Sequence, residues 1–208
     1  MSATSVEPHL HPATGPPTAL RLACAPIESY RRLRAVDRST GWPGALARPA
    51  LAALVTGTAI SMAATGRVTI GLVLSVSLYW AFASALQLCA GTLLIASARG
   101  RAVTIPHALQ LFFRGHLPWS LWLLGIAAVL TLWPPPFGRA LPLAASALVP
   151  LAWTMGIVAA FCRTVLDMTA RRAAAGAVLH QSILWTATIL WLLWLTDSWA
   201  RVAAMLGA

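Results

Sequence analysis

The sequence predicts an all-α polytopic membrane protein with five transmembrane helices, its N-terminus inside and its C-terminus outside. Three observations lead to this prediction. Hydrophobic residues make up 59% of the 208 residues and charged residues only 10%, whereas a soluble domain carries about 25% charged residues. Five uncharged stretches are long enough to cross a bilayer. The arginines also alternate in number between successive flanks of these stretches.

This composition excludes several classes of protein. A soluble domain of this length buries only about 70% of its surface, which leaves too little interior for so many apolar side chains. A soluble enzyme, a secreted disulfide scaffold and a disordered chain are therefore excluded. The net charge is +10, but the arginines are spread along the chain and flank the apolar stretches. This distribution indicates membrane orientation, and we expect no nucleic-acid partner.

The chain begins with two segments that precede the apolar stretches. Residues 1–24 are expected to form a disordered cytoplasmic tail, since Pro, Ser, Thr and Gly dominate most of it. Residues 25–48 are expected to form a basic amphipathic pre-helix and flank, in which Ile27, Tyr30 and Leu33 recur every third residue. The pre-helix either lies on the anionic headgroups of the bilayer or is a partly ordered positive flank of the first span.

A five-helix transmembrane bundle is expected over residues 49–197, followed by a short C-terminal tail over 198–208. The five spans are expected at roughly 49–65, 68–98, 118–133, 141–162 and 176–196. At 1.5 Å per residue the second stretch would be about 46 Å long, so it must tilt, bend or protrude. Three consecutive prolines at 134–136 end the third span.

The arginine distribution sets the predicted orientation. Twelve arginines fall in flanks that share one side of the membrane: Arg21, Arg31, Arg32, Arg34, Arg38, Arg48, Arg99, Arg101, Arg114, Arg163, Arg171 and Arg172. Only Arg67, Arg139 and Arg201 fall on the other side. The positive-inside rule therefore places the N-terminus in the cytoplasm and the C-terminus outside. Lysine is absent, which we interpret as the codon bias of a GC-rich genome. We expect a multi-pass protein of a bacterial inner membrane.

The segment between the second and third spans is predicted to form an amphipathic helix on the cytoplasmic side. Ile105, Leu109 and Phe112 share one face at helical spacing, and Phe113 lies at its edge. This face is a candidate docking or lipid surface for the bilayer or for a protein partner. The alternative is that the segment merely connects two spans.

Two stripes of small residues are predicted to be helix-packing surfaces. The first is in span one, Ala53, Gly57 and Ser61, and the second is in span four, Ala152, Gly156 and Ala160. Small residues at four-residue spacing allow two helix backbones to approach closely in a membrane. Whether each stripe packs within the chain or against another copy stays open, as does the oligomeric state.

Groups suited to catalysis or metal binding are rare within the predicted spans. Within the spans, only His180 and Gln181 have side chains that could take part in such chemistry. No serine-hydrolase, zinc-protease or phosphate-loop motif is present in the sequence. We therefore expect no catalytic residue, no cofactor and no metal, with a metal shared by His116 and His180 as the alternative.

Asp167 and the three cysteines are expected to have structural roles. Asp167 lies four residues from both Arg163 and Arg171, which predicts ion pairs along a helix surface. The three cysteines are expected to be small buried residues: Cys24, Cys89 and Cys162.

With this layout, the chain resembles the Yip1-domain family of small five-span membrane proteins. Pro26, Tyr30 and Leu33 resemble the Pro-x-x-x-aromatic-x-x-Leu segment that precedes the first span in bacterial members. The stretch 108–124, ALQLFFRGHLPWSLWLL, is similar to the loop and third span of uncharacterised proteobacterial proteins grouped with that family. The resemblance covers about residues 25–196. It implies a role in membrane organisation or trafficking without catalysis.

These observations together predict a non-catalytic integral inner-membrane protein. It would act in membrane organisation or partner docking through its cytoplasmic amphipathic helices. The alternative is a membrane subunit of a transporter or of a multi-protein assembly.

Overall fold

A computed structural model of the chain describes residues 18–35, 41–98, 103–133 and 140–195. Within these ranges the structure is entirely helical, without a strand. Two short helices come first, α1 (Ala19–Cys24) and α2 (Pro26–Ala35). The tail predicted over residues 1–24 is described only from residue 18, where helix α1 begins almost at once. The predicted C-terminal tail, 198–208, lies outside the described residues.

Five longer helical segments follow, and each is long and apolar enough to cross a membrane. They are α3 (Trp42–Thr65), α4 (Ile70–Ser97), α5 (Ile105–Phe113) with α6 (Leu117–Leu132), α7 (Ala140–Ala145) with α8 (Leu148–Thr164), and α9 (Ala170–Leu195). The predicted all-α class and the number of candidate spans are thus confirmed. Helix α4 is unbroken over its 28 residues, which corresponds to about 42 Å.

The third span begins thirteen residues earlier than predicted. A 3₁₀ turn over Arg114–His116 joins α5 to α6, and the two helices form one candidate span from Ile105 to Leu132. Pro118 lacks the N–H that would bond the Arg114 carbonyl, and a tightened turn carries the chain past it. The amphipathic segment is therefore continuous with the third candidate span, whereas a separate interfacial helix was expected.

The connection between α3 and α4 is a closed turn of four residues. Gly66 ends α3 in the left-handed conformation, with φ of 69°, and its N–H donates to the Met62 carbonyl. Glycine adopts this conformation without steric cost. Ser61 Oγ donates to the Arg67 carbonyl at 3.1 Å and accepts from the Thr69 N–H at 3.0 Å. The turn sets α3 and α4 side by side in opposite directions.

The bundle packs around α3 and α9. Helix α3 lies against α4 and α6, helix α9 lies against α8 and α4, and α2 lies along α8. We call the end at which α3 begins the proximal end, and the other the distal end. The buried core is concentrated at the proximal end. Its largest members include Tyr30, Ile95, Leu109, Phe112 and Phe161.

The two N-terminal helices are part of this core. Leu22 of α1 is buried, as are Tyr30 and Leu33 of α2. Tyr30 packs edge-on against Phe161 of α8, with 5.6 Å between ring centroids. Burial raises the pKa of the Tyr30 phenol above its ordinary value. The apolar face of the pre-helix thus packs against helix α8. One of the two expectations had placed this pre-helix on the lipid headgroups.

Candidate functional site

The residues predicted as a docking or lipid face lie inside the chain. Leu109, Phe112 and Phe113 are between 0% and 4% exposed, and Ile105 packs partly buried against the same core. The Phe112 ring lies against the ring of Phe161, with 5.6 Å between centroids. This corrects the expectation of a free surface. Because α5 continues into a span, its apolar side meets the neighbouring helices of the bundle.

The two stripes of small residues behave differently. A Cβ atom built on Gly57 would lie 2.5 Å from the Val73 carbonyl oxygen and would clash with Ser77 Oγ, so α3 and α4 approach closely at this point. Ala53 and Ser61 are buried on the same side.

In α8, by contrast, Gly156 has no atom within 4 Å of its would-be Cβ. Ala152 is also exposed, and only Ala160 is buried. The second stripe therefore does not form a contact of this kind with any residue that the structure describes. The sequence spacing is the same in both helices, so the rotation of each helix decides which stripe is covered.

Asp167 forms an ion pair that joins the N-terminal region to the bundle. It occupies the left-handed region, with φ of 52°, in the loop between α8 and α9. Two hydrogen bonds, of 2.6 and 2.8 Å, join its carboxylate to Arg34 of α2. Arg34 also donates to the Thr164 carbonyl at 2.9 Å. The Arg34 guanidinium lowers the pKa of the Asp167 carboxyl and stabilises its charged form.

This pairing corrects the predicted ion pairs between Asp167 and its neighbours Arg163 and Arg171. Those pairs required Asp167 to lie within a helix. Helix α8 ends at Thr164, and the loop turns the carboxylate towards α2. The partner is 133 residues away along the chain, which no local pattern could indicate.

A groove of about 580 Å³ runs between α4 and α9 near the proximal end. We call it the proximal groove. Its walls are mainly aliphatic, with Leu86, Leu93, Leu94, Leu179 and Ile183 among them. Polar groups gather at its mouth: Ser97, Asp167, Thr169 and Arg172. An apolar trough below a charged rim suits an amphiphile that lies along the two helices.

His180 lies at the deep side of the proximal groove. It is 4% exposed and its ring packs against Phe112, with 5.2 Å between centroids. Neither ring nitrogen has a hydrogen-bond partner among the residues that the structure describes. A buried imidazole without partners is unfavourable. His180 is therefore the group in this part of the bundle that a ligand could satisfy.

The part of the chain that the structure describes adds no third ligand to the alternative metal site at His116 and His180. Within the described ranges no group of three or more His, Cys, Asp or Glu side chains could hold a metal ion. The cysteines are free: Cys162 is buried as expected, whereas Cys24 and Cys89 are exposed.

Comparison of the chain with protein-family models, curated proteins and solved structures gives no match. The geometry of the chain itself therefore carries the functional argument. Arg172 and the Asp167–Arg34 pair took no functional role in the sequence analysis. Their sequence signal was an arginine at the first turn of a span and an acidic residue in a short connection between two spans.

Proposed function

We propose that the chain is a non-catalytic, multi-pass protein of the bacterial inner membrane that holds an anionic lipid in the proximal groove. One observation carries the proposal: an open groove of about 580 Å³ between two apolar helices ends at an arginine, Arg172. Acyl chains match its aliphatic walls. A guanidinium at its mouth can donate two parallel hydrogen bonds to a phosphate.

Charge at the proximal end supports an anionic occupant. Arg172 lies at the groove mouth, and Arg31 and Arg163 line the adjoining surface between α2 and α8. Asp167 is the acidic group at the mouth, and Arg34 already neutralises it. Basic residues near a membrane surface contribute about 1 kcal/mol each towards anionic headgroups.

The orientation belongs to the same proposal. With the N-terminus inside, the groove opens towards the cytoplasmic leaflet, which agrees with the twelve arginines on that side. A reporter that is active only outside the cytoplasm should be active when fused after Arg67, Arg139 or Ala208. It should be silent after Arg101 or Arg172. Activity after Arg101 with silence after Arg139 would contradict this orientation.

Lipid retention tests the groove. The protein would be purified in mild detergent, and the lipids that remain bound would be extracted and quantified by mass spectrometry. We expect Arg172→Ala to lower the retained phospholipid about ten-fold, since a hydrogen bond to a charged group contributes roughly 1.5–3 kcal/mol. Arg171→Ala is the matched control, because Arg171 is adjacent in sequence but does not line the groove.

A second variant blocks the apolar part of the groove. Cys89→Trp places an indole into the space between α4 and α9, because Cys89 is an exposed lining residue. Ala85→Trp places the same side chain one helical turn away, outside the groove. Equal lipid retention by both tryptophan variants would contradict the proposal. Stoichiometric co-purification of another protein without lipid would instead favour the alternative of a subunit in a larger assembly.

The resemblance to the Yip1-domain family remains a prediction beside this proposal. It is compatible with a lipid-binding role in membrane organisation. The face expected to dock a partner, around Phe112, is buried and does not enter the proposed function.

A further inference from the structure

A second, partly open cavity lies between α3, α4, α6 and α9. We call it the tryptophan cavity, because Trp80, Trp119, Trp122 and Trp185 are among its lining residues. Its volume is about 240 Å³. It lies on the distal side of the Phe112 core. Apart from helices α4 and α9, which both cavities share, its lining residues differ from those of the proximal groove.

Three of the tryptophans form a continuous aromatic wall. The Trp119 and Trp185 ring centroids are 5.2 Å apart, and those of Trp119 and Trp122 are 5.7 Å apart. The wall joins α6 to α9. Its flat faces suit a planar ring, since aromatic pairs prefer offset or edge-on contact at 4.5–7 Å.

One polar atom in this wall lacks a partner. Trp122 Nε1 donates to Ser146 Oγ at 2.9 Å. Trp185 Nε1 is buried, and no acceptor bonds it among the described residues. An indole N–H can only donate, and a buried donor left unpaired is unfavourable. The cavity therefore offers a hydrogen bond to an acceptor that the chain itself does not supply.

The other polar groups restrict what that acceptor can belong to. Thr56 Oγ1 donates to the Ala52 carbonyl at 3.0 Å, and Ser84 Oγ donates to the Pro49 carbonyl at 3.3 Å. These hydroxyl protons are already used. The Gln87 amide and the His116 imidazole also line the cavity, and His116 Nδ1 is buried without a hydrogen-bond partner among the described residues. No Asp, Glu or Arg lines the cavity within the described part of the chain. A cationic ligand would lie there without a carboxylate counter-ion, and an anionic one without an arginine, so the site favours a neutral ligand.

We infer that the tryptophan cavity binds a neutral, planar, lipid-soluble ring that carries carbonyl acceptors, of the quinone class. A carbonyl oxygen would accept from Trp185 Nε1 while the ring packs against the tryptophan wall. The volume is below the 300–1,000 Å³ typical of drug-sized ligands, and it suits a ring headgroup. The inference concerns binding alone, and it does not depend on the proposed lipid in the proximal groove.

Saturable binding of a quinone probe tests this inference. The protein would be placed in nanodiscs and titrated with radiolabelled decyl-para-benzoquinone, with empty nanodiscs as the baseline for partition into lipid. We expect saturable binding of one probe per chain. Unlabelled decyl-para-benzoquinone should compete, and decylbenzene, which has the same tail and no carbonyl, should not.

Two matched pairs of variants place the site. Trp185→Phe keeps an aromatic ring and removes the N–H, so we expect the probe to bind about five-fold more weakly, as for the loss of one hydrogen bond. Trp194→Phe, at an exposed position of the same helix, should leave binding unchanged. Ala83→Leu fills the cavity and should abolish binding, whereas Ala85→Leu, outside it, should not.

Several results would overturn the inference. These are binding that only follows partition into empty nanodiscs, competition by decylbenzene as strong as by the quinone, or full affinity in Ala83→Leu. The competition experiment uses the unaltered chain, so it decides the question even if a variant fails to fold.

Discussion

The proximal and distal halves of the bundle are held together in different ways. The proximal half has a core of interlocked aromatic and aliphatic side chains centred on Phe112 and Phe161. In the distal half, large apolar side chains such as Leu78 and Leu132 are about 80% exposed. Lipid tails are as apolar as a leucine side chain, so apolarity alone does not draw these helices together.

Close contacts between helices connect the distal half. Helices α3 and α4 approach each other at Gly57. The Thr131 hydroxyl of α6 is shared between the Ala127 carbonyl of its own helix, at 2.8 Å, and the Met62 carbonyl of α3, at 3.0 Å. Small residues, hydrogen bonds and a partly exposed stack of Phe82 on Trp191, with 4.5 Å between ring centroids, thus connect the distal half, whereas the proximal half has a buried core. The tryptophan cavity lies between the proximal core and these distal contacts.

The largest effect is expected from truncating the proximal core. Phe112→Ala removes a ring that touches Phe161 and His180, and we expect a loss of about 3–5 kcal/mol in unfolding free energy. Denaturant unfolding in detergent measures it. Leu121→Ala, at a half-exposed position of α6, should change stability by less than about 0.5 kcal/mol. Similar losses for both would mean that the two halves do not differ in this way.

A smaller effect is expected at the close approach of α3 and α4. Gly57→Ala forces α4 away from α3, and overpacking of this kind costs about 1–3 kcal/mol. The control is Gly156→Ala, where the added methyl group meets open space. It should be neutral or slightly stabilising, because alanine favours a helix over glycine by up to about 1 kcal/mol. Equal destabilisation by both variants would refute the assignment of the covered stripe.

The smallest effect is expected at the ion pair between α2 and the α8–α9 loop. Asp167→Asn should cost about 0.5–1 kcal/mol, because half of the Asp167 side chain is exposed and water screens the pair. Glu28→Gln is the control. It breaks an exposed pair within α2 and leaves the link to the bundle intact.

The pH dependence of stability provides a second test of the same pair. Arg34 lowers the pKa of the Asp167 carboxyl. The stabilisation is therefore present above the ordinary carboxyl pKa, near 4, and is lost as the pH falls through the lowered value. Thermal melts of the unaltered chain and of Asp167→Asn should converge on acidification. A constant difference in melting temperature at every pH would show that the carboxylate charge is not what stabilises this contact.

The parts of the site that could be predicted depended on local patterns. The stripe around Gly57 was readable because small residues at four-residue spacing mark a close approach. The same pattern around Gly156 meets no neighbour among the described residues, because spacing does not say which way a helix is rotated. The prediction that the face around Phe112 is a free surface was wrong for a related reason. An amphipathic helix can turn its apolar side to lipid or to its own bundle, and the pattern is identical in both cases.

The sequence by itself determined the helical class and the number of candidate spans. A chain in hydrocarbon must satisfy its backbone hydrogen bonds within each segment, and about 20 apolar residues are needed to cross, so both follow from local composition. Only the tertiary structure decided that α5 enters the bundle, that Asp167 pairs with Arg34, and that cavities lie beside α4 and α9. These features depend on shape and hydrogen-bond geometry between distant residues, because hydrophobicity does not distinguish a lipid-facing side chain from a buried one.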